Sequence, residues 1–502
     1  MTTVQKNILA NYAGSAWNVI TSLAFVPLYI KFIGIEAYGL IGFFSSIQIV
    51  LSLLDLGLGS AFNREIARLS ALHDTQQTIR NLVKTFSSIY WAIGAAVAIL
   101  FVAIEPLITG HWIKSNTIPH QTIRLVIILM GLGIAVRWPS NVYSGALAGL
   151  QKLVISNVLY ISYITLRSVG AVLVLWLISP TITAFFWWQL IVTILGTLSY
   201  LIITRIYLPN SENPPRFDSV LLKQLWKFAA GMAGINICAT ILYQLDKILL
   251  SKLIPLQQFG YYALAANIAY SIIAIIFPIT GAIFPRFSQL YSTKNELALS
   301  TLYHQTCQFV SIAILPLGVI ICLFSYEILI VWIHNKEIAQ NTKMILSLLT
   351  VGIMLNALMA VPYYLQVATG WTKLLLYFNI GAVVAFAPLI IFLVHVYGTI
   401  GGAMAWIVIN VFYVVIVIQI MHSRILIGGK MKWYFDDVGR PLLAAIGLGG
   451  IGRLIMPSLH SPIAIASIVF GIYVIALSGG ILSTPLFWTR WKKFLFKPRM
   501  AL

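Results

Sequence analysis

The chain has 502 residues, 60% of them hydrophobic and only 9% charged, with a mean hydropathy of +0.93. A soluble globular protein carries roughly a quarter charged residues, so the composition excludes a soluble enzyme and indicates an all-α integral membrane protein. The 32 Lys+Arg against 13 Asp+Glu, net +19, would suggest a nucleic-acid partner in a soluble chain; here loop topology is the better explanation, and no nucleic acid is expected.

One helical span needs about 20 apolar residues, so the length holds about 14 transmembrane helices with short loops. Lys6 precedes an apolar run from Ile8 to Ile30 without a small-residue cleavage site, which is expected to stay as the first span. Apolar runs bounded by charges then place spans near 8–30, 37–60, 82–105, 121–148, 154–178, 182–205, 224–250, 258–284, 303–326, 343–368, 374–396, 399–423, 438–456 and 462–484. The first outer loop is only Gly34 to Ala37. Trp138-Pro139 predicts a kink in the fourth span, since proline removes a backbone hydrogen bond. Pro209 to Phe217 reads as a linker after the sixth span, because its prolines cannot continue a helix. Pro27, Pro278, Pro316, Pro362 and Pro388 allow bends within spans. The tail, with Trp488, Arg490, Trp491, Lys492, Lys493, Lys497 and Arg499, reads as a surface anchor for anionic lipid. Cys238, Cys307 and Cys322 lie in apolar stretches with no CxxC spacing, so neither disulfide nor metal is expected. His304, His334, His395 and His460 are scattered without triad or metal spacing.

Placing both termini in the cytoplasm puts 22 Lys/Arg on the inner side and 7 on the outer, with three inside spans. That asymmetry follows the positive-inside rule and orients the chain. An internal repeat sets the architecture. Lys31, Ile33 and Gly39 recur as Lys252, Ile254 and Gly260, and Tyr143, Gly149 and Lys152 recur as Tyr364, Gly370 and Lys373, all at an offset of 221. Glu105 and Glu327 miss it by one. Six spans fit one period, so the expected fold is two parallel-repeat six-helix lobes around a central cavity, with two extra C-terminal helices. The expected boundaries are an N-lobe at 1–206, a cytoplasmic linker at 207–223, a C-lobe at 224–423, and the last two spans with the basic tail at 424–502.

Several stretches carry a family likeness: Asn11-Tyr-Ala-Gly14-Ser-Ala-Trp17, Pro27 to Phe43 with Lys31, Gly34, Glu36, Tyr38 and Gly39, then Leu54-Asp55-Leu-Gly57-Leu-Gly59 and Asn63-Arg64-Glu65. Tyr243-Gln-Leu-Asp246-Lys247, Phe259-Gly260-Tyr-Tyr262 and Tyr397-Gly398-Thr-Ile-Gly401-Gly402 follow in the second half. In this order the sequence resembles the polysaccharide (O-antigen type) flippases of the multidrug, oligosaccharidyl-lipid and polysaccharide exporter superfamily. The resemblance implies a transporter, without catalytic residues or cofactor, that moves an undecaprenyl-diphosphate-linked glycan from the cytoplasmic to the periplasmic leaflet of the bacterial inner membrane. Membrane lipids, a proton or sodium counter-ion, a polysaccharide polymerase and a chain-length regulator are the partners this reading names.

A diphosphate with polar sugars crosses hydrocarbon only along a wet, cationic path. Arg137 falls near the middle of the fourth span and Arg167 at similar depth in the fifth. Guanidinium stays charged and binds phosphate or carboxylate through paired donors, so both are candidate anion ligands; the alternative is that they pair internally and lock helices. Tyr160, Tyr163 and Arg167 share a helix face, so the rings either stack on sugar or pack between helices. Asn141, one turn beyond Arg137, is a candidate to orient it. Asp246 and Lys247, about 100° apart on the seventh span, are expected not to neutralise each other fully. An Asp recurs at this position in the resembled family; it serves either ion coupling or an inter-lobe salt bridge. Asp55 and Arg64 bracket the inner end of the second span as a gate latch or a solvated helix end, and Glu105 and Glu327 hold the equivalent outer positions.

Three rivals remain. A membrane glycosyltransferase or polymerase needs acidic residues in a large outer loop, and the loops are short. A drug or cation antiporter of the same superfamily calls for cavity carboxylates, whereas the deepest charges here are arginines. A peptidoglycan lipid-precursor flippase also carries a lipid diphosphate and is the runner-up.

Overall fold

The computed structural model describes residues 3–457, 461–485 and Trp488, and among these the chain is helical, with no strand. His460 and the basic tail from Arg490 onward lie outside the described residues. Helix is the expected outcome of such apolar runs, because backbone N–H and C=O groups in hydrocarbon have only each other to bond. The chain divides into two compact units, residues 1–260 and 261–502.

In the first unit, α1 (Thr3–Ala24) and α2 (Val26–Leu51) part at Phe25, where Pro27 starts the new helix. The expected first span therefore breaks in its second half. Within α2, Gly34 adopts φ 80, ψ 167, open in practice to glycine alone, and it interrupts the helix at the expected first loop. A 3₁₀ turn, Ser52–Asp55, leads through left-handed Leu56 and Gly57 into α3 (Leu58–Ser70), followed by α4 (Gln76–Leu107). The fourth predicted span is two helices, α5 (His120–Arg137) and α6 (Ser140–Gly149), broken at Trp138-Pro139 as expected. Then come α7 (Leu153–Leu177) and α8 (Ile182–Tyr207), the latter capped by Thr181.

The segment before α9 (Ser219–Leu253) is extended and stitched to the start of α4. Ser211 Oγ donates to Gln77 Oε1 at 2.5 Å, Arg80 donates to Ser211 O at 3.1 Å, and the Arg216 and Asp218 amides donate to Asn81 Oδ1 at 2.9 Å and Thr85 Oγ1 at 2.8 Å. Asp218 then caps α9 through the amides of Val220 and Leu221. After Pro255, which holds the repeat position of Gly34, α10 (Leu256–Ser271) begins. The repeat partners Gly39 and Gly260 meet at one crossing: a Cβ on Gly39 would lie 2.7 Å from Leu256 O and 3.3 Å from Gly260 N.

The second unit comprises α11 (Ile276–Ser292), α12 (Glu296–Leu323), α13 (Ser325–Ile333), α14 (Lys336–Leu358), α15 (Ala360–Ala368), α16 (Thr372–Tyr397), α17 (Thr399–Phe412) and α18 (Ile418–Arg424). A short α19 (Lys430–Lys432) and a π turn (Trp433–Gly439) lead into α20 (Arg440–Ile455) and α21 (Pro462–Ser483). This last pair packs on α12 and α13 through Ile320, Phe324, Val469, Ile472 and Ala476.

Among the described residues, eleven helices are long and apolar enough to cross a membrane, or twelve if the pair α10 and α11, bent by 40°, is one span. The expected fourteen include α1 and α9, which are not among them. Asn7, Asn11 and Asn18 dilute α1, and Asp246, Lys247 and further lysines dilute α9.

Candidate functional site

The Pro139 break ends α5 at Arg137 and frees nearby carbonyls. Thr197 of α8 donates its hydroxyl to one of them, Val136 O, at 3.0 Å. Arg137 is thereby held at a helix end in mid-span, where it joins Arg167 in a cleft formed by four helices of the first unit. Phe44 and Gln48 of α2, Gly133 and Arg137 of α5, Tyr163 and Arg167 of α7, and Gln189 and Thr193 of α8 line it. The free volume, about 10 Å³, holds roughly one water. In this conformation the cleft is closed around its charges.

The partners of the two guanidinium groups are neutral. Arg137 lies over the Tyr163 ring, 5.6 Å from the centroid, a cation–π contact. Tyr163 is fixed in turn by Thr193, 3.4 Å from its hydroxyl, and packs against Gly196. Arg167 donates through Nε to Gln189 Oε1, and Gln189 is 6% exposed. Among the described residues no carboxylate stands within ion-pair distance of either arginine. Two half-buried cations without an internal anion form an electropositive cleft, since removing charge from water is costly unless it is compensated.

The sequence-derived candidates divide. Arg137, Tyr163 and Arg167 come together. Tyr160, half-buried one turn before Tyr163 and against Gly14 of α1, is within electrostatic range of both arginines but does not line the cleft. Asn141 is exposed on α6 beyond the break and does not line it either. Gln48, Gln189 and Thr193 were missed; a glutamine isolated in an apolar run was the available signal. Asp246 is fully buried on α9, and Lys247 reaches its carboxylate at 3.3 Å while donating to Tyr243 O at 2.8 Å. The two meet despite an angular separation of about 100°, because the long lysine stem curls back.

Asp55 accepts from the Tyr90 hydroxyl and, at 3.1 Å, from the Gly59 amide at the start of α3, while Arg64 is exposed on that helix. Glu105 pairs with Arg124 at 3.2 Å and Glu327 with Arg453 at 2.5 Å, each within its own unit. Glu36 was also missed. It accepts from Ser115 Oγ, the Asn116 amide and the Thr117 hydroxyl, and so organises the loop after α4. That loop meets the elbow between α9 and α10 through Trp112 to Ser251 at 3.0 Å and the Leu256 amide to Lys114 O at 2.8 Å.

The family model described as polysaccharide biosynthesis protein matches residues 4–291, more than half of the chain. The chain belongs to this family. A second model, MatE, matches residues 232–392. A protein of Shigella flexneri whose name describes it as a candidate O-antigen transporter is 22% identical over 423 residues, covering 84% of this chain and 97% of that one. Among solved structures, the lipid II flippase MurJ in an inward closed conformation superimposes with a TM-score of 0.70 at 15% identity, covering 98% of this chain and 99% of that one. An inward-facing multidrug resistance MATE transporter gives a TM-score of 0.65 at 15% identity over 82% and 94% of the two chains. The chain is thus a multi-pass membrane protein with the transporter fold of the multidrug, oligosaccharidyl-lipid and polysaccharide exporter superfamily, as the O-antigen-type flippase motifs led one to expect.

Proposed function

We propose that the protein is a flippase for an undecaprenyl-diphosphate-linked oligosaccharide, carrying repeat units of O-antigen, capsule or exopolysaccharide to the outer leaflet of the bacterial inner membrane, with both termini cytoplasmic. The observation that carries this reading is the mid-span cleft in which Arg137 and Arg167 have, among the described residues, neutral partners only. Such a pair suits a diphosphate, because paired guanidinium donors match phosphate oxygens, and Tyr163 offers an apolar face to a sugar. The polyprenyl tail stays in lipid while the head enters. Rocking of two six-helix lobes, divided near 207–223, then exposes the site outward. A membrane potential negative inside favours outward movement of an anion by about 2.3 kcal/mol per charge per 100 mV.

Binding of a fluorescent undecaprenyl diphosphate to the detergent-purified protein tests the site. Arg137→Gln and Arg167→Gln are each expected to weaken binding about tenfold or more, the loss of one charge-assisted contact. Unchanged affinity in both variants contradicts the assignment. The peptidoglycan lipid precursor is the second reading, supported by the same lipid-diphosphate chemistry and by a MurJ-like fold along the whole chain. A cation antiporter fits an arginine cleft poorly.

A further inference from the structure

A second buried ionisable pair lies in the other unit, far from the cleft in sequence and unused by the transport reading. His304 on α12 places Nδ1 2.5 Å from Oδ2 of Asp437, in the π turn that begins the appended helix pair. Gln308, one turn along α12, donates Nε2 to the other carboxylate oxygen at 2.8 Å. The His304 and Asp437 side chains are 4% and 0% exposed.

The far end of the imidazole lies beside a surface loop. A Cβ on Gly429 would sit 3.1 Å from His304 Nε2, and Gly429 lies in a partly exposed loop between exposed Gly428 and Lys430. His304 therefore spans from a buried carboxylate to a loop in contact with water. Tyr303 edges both His304, at 5.2 Å, and His422, at 5.5 Å. The other titratable groups in electrostatic range of the pair are Cys307 and Tyr303 from α12, Lys432 from α19 and His422 from α18, while Tyr434 and Lys430 lie in range of Tyr303 and His422 in turn. Asp436 beside it is taken up by Arg440 at 3.1 Å. A buried carboxylate is costly unless its charge is met, and imidazole is the side chain that accepts a proton at one nitrogen while donating from the other.

We propose that His304 and Asp437 form a proton-binding site. A proton from water enters at His304 Nε2 beside Gly429, the Nδ1 proton passes to Asp437 Oδ2, and the pair goes from net −1 to neutral with one proton gained. The charge of the pair then sets how the turn at 433–439 holds α12, which lets the second unit respond to a proton gradient. The transport half of this inference rests on the flippase reading; the proton site itself does not.

Two measurements separate them. In proteoliposomes containing the fluorescent glycolipid, an imposed pH gradient is expected to change wild-type exchange by at least about fivefold, the low end of ordinary coupling between sites. Asp437→Asn and His304→Gln lose that response and keep the gradient-free rate, and Gly429→Ala, which sets a methyl against Nε2, weakens the response. Exchange that ignores the gradient in wild type, or responds equally in Asp437→Asn and His304→Gln, overturns the proposal. Infrared difference spectra of purified protein across a pH titration provide the transport-independent readout. A carboxyl band that titrates in wild type and is missing in monodisperse Asp437→Asn supports the site, and the same band in both overturns it. If wild type shows no glycolipid exchange, the flippase reading fails and the infrared result alone decides the proton site.

Discussion

Arg167 gives one guanidinium donor to Gln189 and keeps others for the cleft. A neutral amide in that place aims the guanidinium without cancelling its charge, as a carboxylate would. Gln189→Leu is therefore expected to act through Arg167, weakening undecaprenyl diphosphate binding about tenfold by equilibrium titration, while Gln189→Glu, which supplies an internal anion, weakens it more. Equal affinity of wild type and Gln189→Glu would show that the arginine charge is not what the ligand meets. Gly170 of α7 lies under the Trp188 ring, whose Nε1 donates to Leu166 O at 3.1 Å, and a Cβ there would fall 2.7 Å from that Nε1. Gly170→Val is expected to destabilise the protein by about 1–3 kcal/mol through overpacking, read as a lower melting temperature in detergent. The arginines were legible in the sequence because charge stands out in an apolar run. Gln189 and Gln48 were not, since a single amide barely changes hydropathy and its partner is fixed only by packing.

At the level of elements, sequence punctuation foretold the breaks. Gly34 and Pro139 each interrupt a helix where expected, because one tolerates a backbone geometry closed to other residues and the other removes a hydrogen bond. The contacts at helix ends depend on distant residues and stayed hidden. Glu36 bonds a loop about 80 residues away, and the proline-rich linker is docked on α4, contacts that composition alone does not show. Repeat-related junctions also differ in chemistry. Glu105 pairs with Arg124, while Tyr326, at the position 221 residues on, takes Lys343 over its ring at 5.8 Å. Glu327 instead reaches Arg453 of α20, which also lies over Phe324 at 5.3 Å. With Arg453 43% exposed, a double-mutant cycle on Glu327→Gln and Arg453→Gln is expected to give a coupling of about 0.5–1 kcal/mol in thermal unfolding. Zero coupling would mean that the apolar cluster alone holds the appended pair.

For the whole molecule, composition established the membrane class, and the run lengths matched most spans. Of the fourteen expected spans, α1 and α9 are less apolar than the rest because polar residues interrupt them. Orientation rests on the excess of Lys/Arg on one side. In a chain lacking Cys238, Cys307 and Cys322, Lys114→Cys is expected to react with a membrane-impermeant maleimide added to intact spheroplasts, and Arg216→Cys only after lysis. The reverse pattern would invert the topology.

The most direct test of the central claim is flipping itself. Fluorescent undecaprenyl-diphosphate oligosaccharide is reconstituted with wild type or with the Arg137→Gln, Arg167→Gln double variant, and outer-leaflet label is scored with an impermeant quencher. Protein-dependent exchange that the folded double variant loses is the predicted result. Exchange that persists undiminished in that variant would contradict the cationic cleft as the substrate site.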